Sequence, residues 1–250
     1  MDQNLVGLIP AAGKGERLGL PYPKELYPII RNNRYKPVAQ FVLETLVGAG
    51  AKHVIFVINE TKHQLIGYFG DGHRFGCDIS YVVQEPLEGQ GPSTSPGLAH
   101  ALDSAHHLTK GKSVLFGMAD TIIQPRDALT RAYGLARSDD DLVLMLFATE
   151  HPERFGMVRC GDDGQVIRVE DKPRVSDLKE MWGSILWRPS FTEFLHDCVA
   201  RHGASDFARI MNDAIAAGFR SRGIKVADGI YMDLGSYDEI LEMDHRFRDE

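Results

Sequence analysis

The sequence predicts an α/β fold with a doubly wound mixed sheet and a small β-rich portion in its second half. Apolar runs at residues 5–9 and 53–58 flank a glycine-rich loop and a segment, 37–50, with apolar residues at helical spacing. This strand-loop-helix-strand order opens a doubly wound sheet, whose ligands bind at the carboxyl ends of the strands. Residues 142–148 are wholly apolar, which is typical of a central strand. The strands that follow are shorter, and the turn 162–164 predicts a hairpin.

The other elements are predicted from the spacing of apolar residues and from the positions of Gly, Pro and capping residues. The segment 84–101 is rich in Gly, Pro and Ser and is expected to be a loop that becomes a helix near Gly97. Ser205 and Asp206 supply capping chemistry at the start of a late helix. We expect helices over 62–69, 125–137, 191–201 and 206–217, strands over 79–84, 113–118 and 223–227, and a terminal helix that ends at about residue 248.

Length and composition narrow the class of protein. A chain of 250 residues, 43% hydrophobic and 25% charged, fits one large globular domain with a substantial core. No apolar run approaches the roughly 20 residues needed to span a membrane, and the N-terminus lacks a signal-peptide pattern, so we expect a cytoplasmic protein. The net charge of −7 argues against a general nucleic-acid binder. The three cysteines are far apart, which predicts neither disulfides nor a zinc site.

The loop at residues 10–24 has the features of a phosphate-binding loop. Its small residues allow the backbone to approach a ligand, and Arg17 and Lys24 add cations that suit a triphosphate. Two better-known glycine loops are excluded by spacing, because Leu18 stands where a dinucleotide fingerprint needs glycine and Leu8 where an ATPase loop needs it. A solvent-exposed turn is the alternative for the Gly13-x-Gly15 pattern alone.

At this point the sequence resembles the sugar-1-phosphate nucleotidyltransferases, and most closely the bacterial glucose-1-phosphate uridylyltransferases and thymidylyltransferases. The resemblance is carried by Ile9-Pro10-x-Ala12-Gly13-x-Gly15-x-Arg17 and by Pro23-Lys24-Glu25. It implies a Rossmann-like, three-layer sheet in a single domain over 1–250, with a nucleotide-binding part at about 1–150, a sugar-phosphate-binding part at about 151–235 and a C-terminal helix over 236–250. By resemblance, Ala12, Gly13 and Gly15 bind the nucleotide, while Arg17 and Lys24 are catalytic.

The resemblance also implies residues for the nucleobase and for a magnesium ion. Gln84 and a glycine, Gly97 rather than Gly89, would contact the base. Asp120, just after the strand 113–118, and Asp233, in Tyr231-x-Asp233-x-Gly235, would be the Mg²⁺ ligands. Each aspartate has a purely structural alternative: Asp120 could cap the turn that follows it, and Asp233 could cap the last helix.

The matching segments of the second half imply a sugar-phosphate pocket. By resemblance, Gly156, Asp171 and Gly183 would line it and Lys172 would align the attacking phosphate. The alternative is that Asp171-Lys172-Pro173 is a surface turn. The implied reaction joins a nucleoside triphosphate, UTP or dTTP, to a sugar 1-phosphate, glucose 1-phosphate being favoured, and releases pyrophosphate. The nucleophile is already an anion, so no general base is required.

Two other functions stay open at this stage. A cytidylyltransferase acting on a non-sugar alcohol phosphate has a similar opening, although the motifs at residues 155–156, 171–173 and 233–235 favour a sugar phosphate. A catalytically silent paralogue that only binds a nucleotide sugar is the other, although the expected cations and carboxylates are all present. The expected partners are the two substrates, with no nucleic acid and no membrane. The resemblance also admits a homo-oligomer, for which one sequence locates no interface.

Overall fold

The computed structural model describes residues 4–31, 34–85, 97–203 and 206–248. The strands are β1 (Leu5–Pro10), β2 (Pro28–Arg31), β3 (Arg34–Pro37), β4 (His53–Ile58), β5 (Asp78–Val83), β6 (Ser113–Gly117), β7 (Thr121–Gln124), β8 (Leu142–Ala148), β9 (Gly156–Cys160), β10 (Val166–Asp171), β11 (Glu180–Trp187), β12 (Ser221–Lys225) and β13 (Ile230–Asp233). The helices are α1 (Val38–Gly48), α2 (His63–Phe69), α3 (Leu98–Ser104), α4 (His106–Thr109), α5 (Ala128–Tyr133), α6 (Pro189–His202), α7 (Phe207–Ala216) and α8 (Tyr237–Arg248).

The central sheet confirms the predicted doubly wound, mixed topology. Its strands lie in the order β12-β8-β11-β6-β1-β4-β5, and β11 runs antiparallel to both of its neighbours, β6 and β8. The other pairs along this path are parallel. The predicted hairpin is also present: β9 and β10 pair antiparallel and join the beginning of β11 through Met181 and Met157. The second half therefore contributes the short antiparallel strands that its sequence indicated.

The core confirms three layers. Alternate residues of β1 pack on opposite faces of the sheet, Leu5 and Ile9 on one face and Val6 and Leu8 on the other. The first face is covered by α1, α2 and α5, and the second by α3, α6 and α7. Since helices cover both faces, the interior strands are buried on both sides, which explains their continuous apolar sequences. Among the described residues, no helix is long and apolar enough to cross a membrane.

The order of the strands positions a crevice. The chain runs from β1 through β4 to β5 on one side and then crosses to place β6 on the other side of β1. Such a switch point leaves an opening at the carboxyl ends of the two strands, here β1 and β6. The glycine-rich loop follows β1 directly, and Asp120 lies three residues beyond the end of β6. Both predicted phosphate-handling segments therefore meet at one edge of the sheet.

Two small sheets were not predicted. Strands β2 and β3 form one, and β7 and β13 form the other. They enclose a third apolar cluster, in which Leu18 and Ile122 pack with Leu234 and Ile240 of the C-terminal segment.

The helix expected over 125–137 is shorter, Ala128–Tyr133, because residues 125–128 form a turn closed by the Ala128 N–H on the Pro125 carbonyl. Gly89 and Ser205, singled out in the sequence, lie outside the described residues, whereas Asp206 caps α7 as expected.

Candidate active site

Two adjoining cavities occupy the crevice. The small cavity, of about 180 Å³, lies beside the glycine-rich loop, and the large cavity, of about 490 Å³, lies towards the second half of the chain. Four residues line both: Gly97, Leu98, Met118 and Asp120. Of the predicted site residues, the small cavity is lined by Ala12, Gly13, Lys24, Gln84, Gly97 and Asp120. The large cavity is lined by Arg17, Gly97, Asp120, Gly156, Asp171, Lys172 and Asp233.

The glycine-rich loop is held by backbone contacts that leave part of it open. The Ala11 N–H donates to the Val57 carbonyl (2.7 Å), and the Asn59 amide donates to the Ala12 carbonyl (2.8 Å). A Cβ on Gly13 would meet no described atom within 4 Å, so the backbone there faces open space. Gly15 adopts a left-handed conformation (φ 68°) and lies behind Lys24 rather than on either cavity wall. This left-handed turn explains why residue 15 is a glycine.

Lys24 and Asp120 form an ion pair where the two cavities meet. Nζ of Lys24 contacts Oδ2 of Asp120, and both side chains are largely buried, at 14% and 11% exposed. Burial alone would lower the pKa of Lys24, but attraction to Asp120, Glu25 and Asp233 outweighs it, and the pKa lies above its ordinary value. The Asp120 carboxylate therefore pairs with a cation, whereas the structural alternative expected it to cap the turn that follows.

Asp233 reaches the same place through strand pairing. In the β13–β7 ladder Asp233 lies opposite Thr121, and the next residue, Leu234, donates its N–H to the carbonyl of Asp120 (2.9 Å). Burial and repulsion from Asp120 raise the pKa of Asp233 to about 6. Helix α8 begins only at Tyr237, four residues later, so Asp233 is not its cap. Two carboxylates that repel each other offer hard oxygen donors to a divalent cation, although no three potential metal ligands cluster within the described ranges.

A second buried ion pair lies behind Lys24. Glu25 is 1% exposed and lines the small cavity; Lys62, 3% exposed, places Nζ 2.5 Å from its Oε1. The other carboxylate oxygen, Oε2, has no hydrogen-bond partner among the described residues. Desolvation raises the pKa of Glu25 and lowers that of Lys62. Glu25 appeared in the sequence motif without a role, and nothing in the sequence around Lys62 indicated this contact.

Gln84 stands at the end of β5 with its amide beside the small cavity. It is 6% exposed, and its backbone N–H donates to the Ile58 carbonyl (2.7 Å). Its side-chain Nε2 lies 3.0 Å from Nδ1 of His100 on α3. An amide both donates and accepts hydrogen bonds, so Gln84 suits the edge of a nucleobase.

In the large cavity, Lys172 has an unusual backbone. Its φ is +44°, and it is the one non-glycine residue of the described ranges with a positive φ. Such a conformation is uncommon for a lysine and concentrates at functional sites. The Lys172 N–H donates to the Phe155 carbonyl (3.0 Å), which ties the Asp171–Lys172 segment to Gly156. Burial raises the pKa of Asp171.

The two predicted glycines of this half differ in position. Gly156 lies against the indole of Trp182, since a Cβ there would come within 2.1 Å of Nε1, and it lines the large cavity. Gly183 lies outside the walls of both cavities as the described residues define them. A Cβ on Gly183 would lie 2.6 Å from the ring of Tyr231 and 2.7 Å from that of Phe147, so the absent side chain makes room for Tyr231.

The large cavity also contains side chains that the sequence did not single out. They include Arg154, Trp182 and Phe207, together with Asp206, noted earlier only as a cap. Arg154 precedes the Phe155-Gly156 motif directly, and this adjacency was the one signal that could have identified it.

Comparison with known proteins identifies the family. The family model described as "Nucleotidyl transferase" matches residues 6–250. A glucose-1-phosphate thymidylyltransferase of Streptomyces griseus is 30% identical over 94% of this chain and 64% of its own length. A UTP–glucose-1-phosphate uridylyltransferase of Synechocystis is 29% identical over 68% of this chain and 45% of its own. The chain thus spans less than two thirds of the length of these relatives.

Solved structures share the fold. A Bacillus anthracis protein, provisionally named glucose-1-phosphate thymidylyltransferase and complexed with sucrose, superposes with a TM-score of 0.82 at 20% identity, covering 98% of this chain and 96% of that one. A UDP-glucose pyrophosphorylase of Acinetobacter baumannii gives a TM-score of 0.78 at 16% identity over 97% and 92% of the two chains. With nearly its whole length matched by the family model and the fold shared with these structures, this chain belongs to the nucleotidyl transferase family.

Proposed function

We propose that this protein is a sugar-1-phosphate nucleotidyltransferase, which joins a nucleoside triphosphate to a sugar 1-phosphate and releases pyrophosphate. The observation that carries the proposal is the meeting of two cavities at Asp120, with Lys24 on one side and Asp233 on the other. A reaction between two phosphorylated substrates needs two neighbouring binding sites with a charge-neutralising centre between them. The names of the relatives from Streptomyces griseus and Synechocystis support the same reaction class.

The small cavity suits the nucleotide. Gln84 and the backbone at Gly97 would contact the base, while Ala12 and Gly13 would approach the nucleotide through their backbone. Arg17, which lines the large cavity, would bind the outer phosphates of the triphosphate, because a guanidinium can donate to two oxygens at once. Gly15 would contribute by shaping the turn that carries these groups.

Asp120 and Asp233 fit a divalent cation, and we propose magnesium. The first ground for this fit is the repulsion between the two carboxylates, which adds to the effect of burial in raising the pKa of Asp233. The second is that Mg²⁺ prefers a few carboxylate oxygens together with the phosphates of its substrate. When bound, the ion would neutralise negative charge on the triphosphate and on the leaving pyrophosphate.

The large cavity suits the sugar 1-phosphate. Lys172, on its left-handed turn, would hold the phosphate, and Asp171 and Gly156 would face the sugar. The phosphate oxygen of this substrate attacks the α-phosphorus while the bond from the α-phosphorus to the pyrophosphate oxygen breaks, so no proton has to be removed. Lys24 would hold the α-phosphate, and positioning with electrostatic stabilisation would supply the rate enhancement.

The test is pyrophosphate release in the presence of magnesium across a grid of substrates. UTP, dTTP, CTP, ATP and GTP are each combined with glucose, N-acetylglucosamine, mannose and galactose 1-phosphates, and with methylerythritol phosphate. We expect UTP or dTTP with glucose 1-phosphate to give the signal, which must require both substrates and the metal. A signal with methylerythritol phosphate and CTP would instead identify a cytidylyltransferase. Silence across the grid, with nucleotide-sugar binding retained, would identify a binding protein.

A further inference from the structure

Arg154 supplies a guanidinium to the cavity that is proposed to bind the sugar phosphate. It lines the large cavity with Asp120, Asp233 and Lys172, and its side chain is 35% exposed. Its partner, Glu239, lies beside Gly235, where a Cβ would be 3.0 Å from Oε2 of Glu239 and 3.2 Å from Oδ2 of Asp233, so the guanidinium lies near the Asp233 carboxylate. Its guanidinium also lies 5.2 Å from the ring centre of Phe155, the residue before Gly156.

The charges on the walls of the large cavity indicate why a cation is needed at the position of Arg154. The described walls carry four carboxylates, those of Asp120, Asp171, Asp206 and Asp233, against three cations, those of Arg17, Arg154 and Lys172. The net charge is 3 − 4 = −1 with Arg154 and −2 without it. A dianionic phosphate enters such a cavity only if cations lie close to it, even with a divalent ion present. Arg154 directly precedes Phe155, whose carbonyl accepts the Lys172 N–H, so Arg154 and Lys172 are the cations beside the segments proposed to bind the sugar.

Glu239 of the C-terminal helix holds Arg154 in place. One carboxylate oxygen, Oε1, contacts Nη2 of Arg154, and the other, Oε2, accepts the backbone N–H of Gly235 at 2.6 Å. Glu239 is only 13% exposed. A Cβ on Gly235 would come within 3.0 Å of Oε2, so glycine at this position preserves the contact. A guanidinium has five donors, and donors remain for an anionic ligand after one carboxylate oxygen is bound.

We propose that Arg154 binds the phosphate group of the sugar 1-phosphate, and that Glu239 is a positioning residue that holds the Arg154 guanidinium at the wall of the large cavity. This inference rests on the proposed function and adds two residues to it. The contact of Glu239 with Gly235, two residues after Asp233, links the sugar-phosphate site to the strand that carries the second aspartate.

Calorimetric titration provides the first test, with glucose 1-phosphate and inorganic phosphate as separate probes, in magnesium and without triphosphate. Arg154→Met keeps the apolar stem and removes the charge, and it should weaken binding by about tenfold to a hundredfold, the usual effect of losing a charge-assisted hydrogen bond. The matched control is Arg131→Met, which removes an exposed pair with Asp228 (2.8 Å) and should leave binding unchanged. Equal affinities in Arg154→Met and wild type, or no binding of either probe by wild type, would overturn the proposal.

Steady-state kinetics with the best substrate pair of the grid tests the role of Glu239. Glu239→Gln retains an oxygen for the Gly235 N–H but removes the attraction to Arg154. It should raise KM for the sugar phosphate about three- to tenfold while KM for the triphosphate stays unchanged, and adding it to Arg154→Met should cause no further loss. Equal rises in both KM values, or additive losses, would make Glu239 merely structural.

Silence of the whole grid would reject the proposed reaction, while calorimetry would still decide whether Arg154 binds phosphate. If Arg154→Met does not fold, Arg154→Lys, which keeps the charge but loses the fork, takes its place.

Discussion

Replacing Lys62 with methionine should destabilise the protein by about 3 kcal/mol at pH 7, much less at pH 5. The side chains of Lys62 and Glu25 are 4% and 2% exposed, and Nζ lies 2.5 Å from Oε1. Oε2 of Glu25 already lacks a hydrogen-bond partner within the described residues, so the variant leaves the whole side-chain carboxylate unpaired. Methionine keeps the apolar stem of the lysine, and the change therefore removes a charge more than it removes volume.

The magnitude follows from what the unpaired carboxylate can do. It can bind a proton, which costs about 1.36 kcal/mol for each pH unit above its ordinary pKa of 4.5. That ceiling is about 3.4 kcal/mol at pH 7 and about 0.7 kcal/mol at pH 5, and the former agrees with the roughly 3 to 5 kcal/mol seen when one partner of a buried pair is removed. Loss of Lys62 raises the pKa of Glu25 further in the folded state. The native state then binds the extra proton, so the free energy of unfolding falls as pH rises above 4.5.

Urea unfolding of wild type and variants at pH 5, 6, 7 and 8, followed by circular dichroism, measures this loss. The double variant Glu25→Met with Lys62→Met should recover most of the stability and lose the pH dependence, because neither charge is then buried. Lys179→Met is the matched control: its pair with Glu150 (3.6 Å) is exposed and should change the unfolding free energy by less than about 0.5 kcal/mol. A loss of equal size at pH 5 and pH 7, or one that persists in the double variant, would refute the reasoning.

Two further predictions concern the site, and a third concerns the packing behind it. Asp120→Asn should fold normally yet lose on the order of a hundredfold in turnover, measured by pyrophosphate release; near wild-type activity at saturating magnesium would remove Asp120 from the site. Lys172→Ala should mainly raise KM for the sugar phosphate in steady-state kinetics, and an unchanged KM would leave this residue as a surface turn. Gly183→Ala should cost about 1 to 3 kcal/mol in urea unfolding, because its Cβ would overlap the rings of Tyr231 and Phe147, whereas Gly48→Ala, with no described atom within 4 Å of the new Cβ, should not destabilise.

The regular elements could be predicted where the sequence carries a strong local pattern. The strands at His53–Ile58 and Leu142–Ala148 have the bounds expected from their apolar runs, because burial on both faces leaves an uninterrupted signature. Strands β2, β3, β7 and β13 were missed. Each has only four residues, too few to establish a period, and β7 finds its partner β13 far along the chain. Their pairing is a tertiary event that no window of sequence contains.

The candidate site divides in the same way. Gln84 and Asp120 follow strands, and Arg17 and Lys24 belong to the glycine-rich loop. Topology and family motifs were enough to expect that these residues converge at one edge of the sheet. The Glu25–Lys62 pair joins residues separated by 37 positions with no motif around the lysine, and it is visible only once β4 and the loop are packed. The contact of Arg154 with Glu239 similarly needs the position of α8. The roles of the individual site residues stay predictions until their variants are measured.

The C-terminal segment accounts for the way in which the two halves of the site are held together. Strand β13 pairs with β7 and brings Asp233 beside Asp120. Helix α8 then returns over the glycine-rich loop, where the Tyr237 hydroxyl donates to the Leu18 carbonyl, and over the sugar side, where Glu239 meets Arg154. Leu234 and Ile240 anchor this segment in the third apolar cluster. Since the last strand and helix of the described chain contact both proposed substrate sites, a change in their packing should alter the use of both substrates, whereas a change at Lys172 should alter only one.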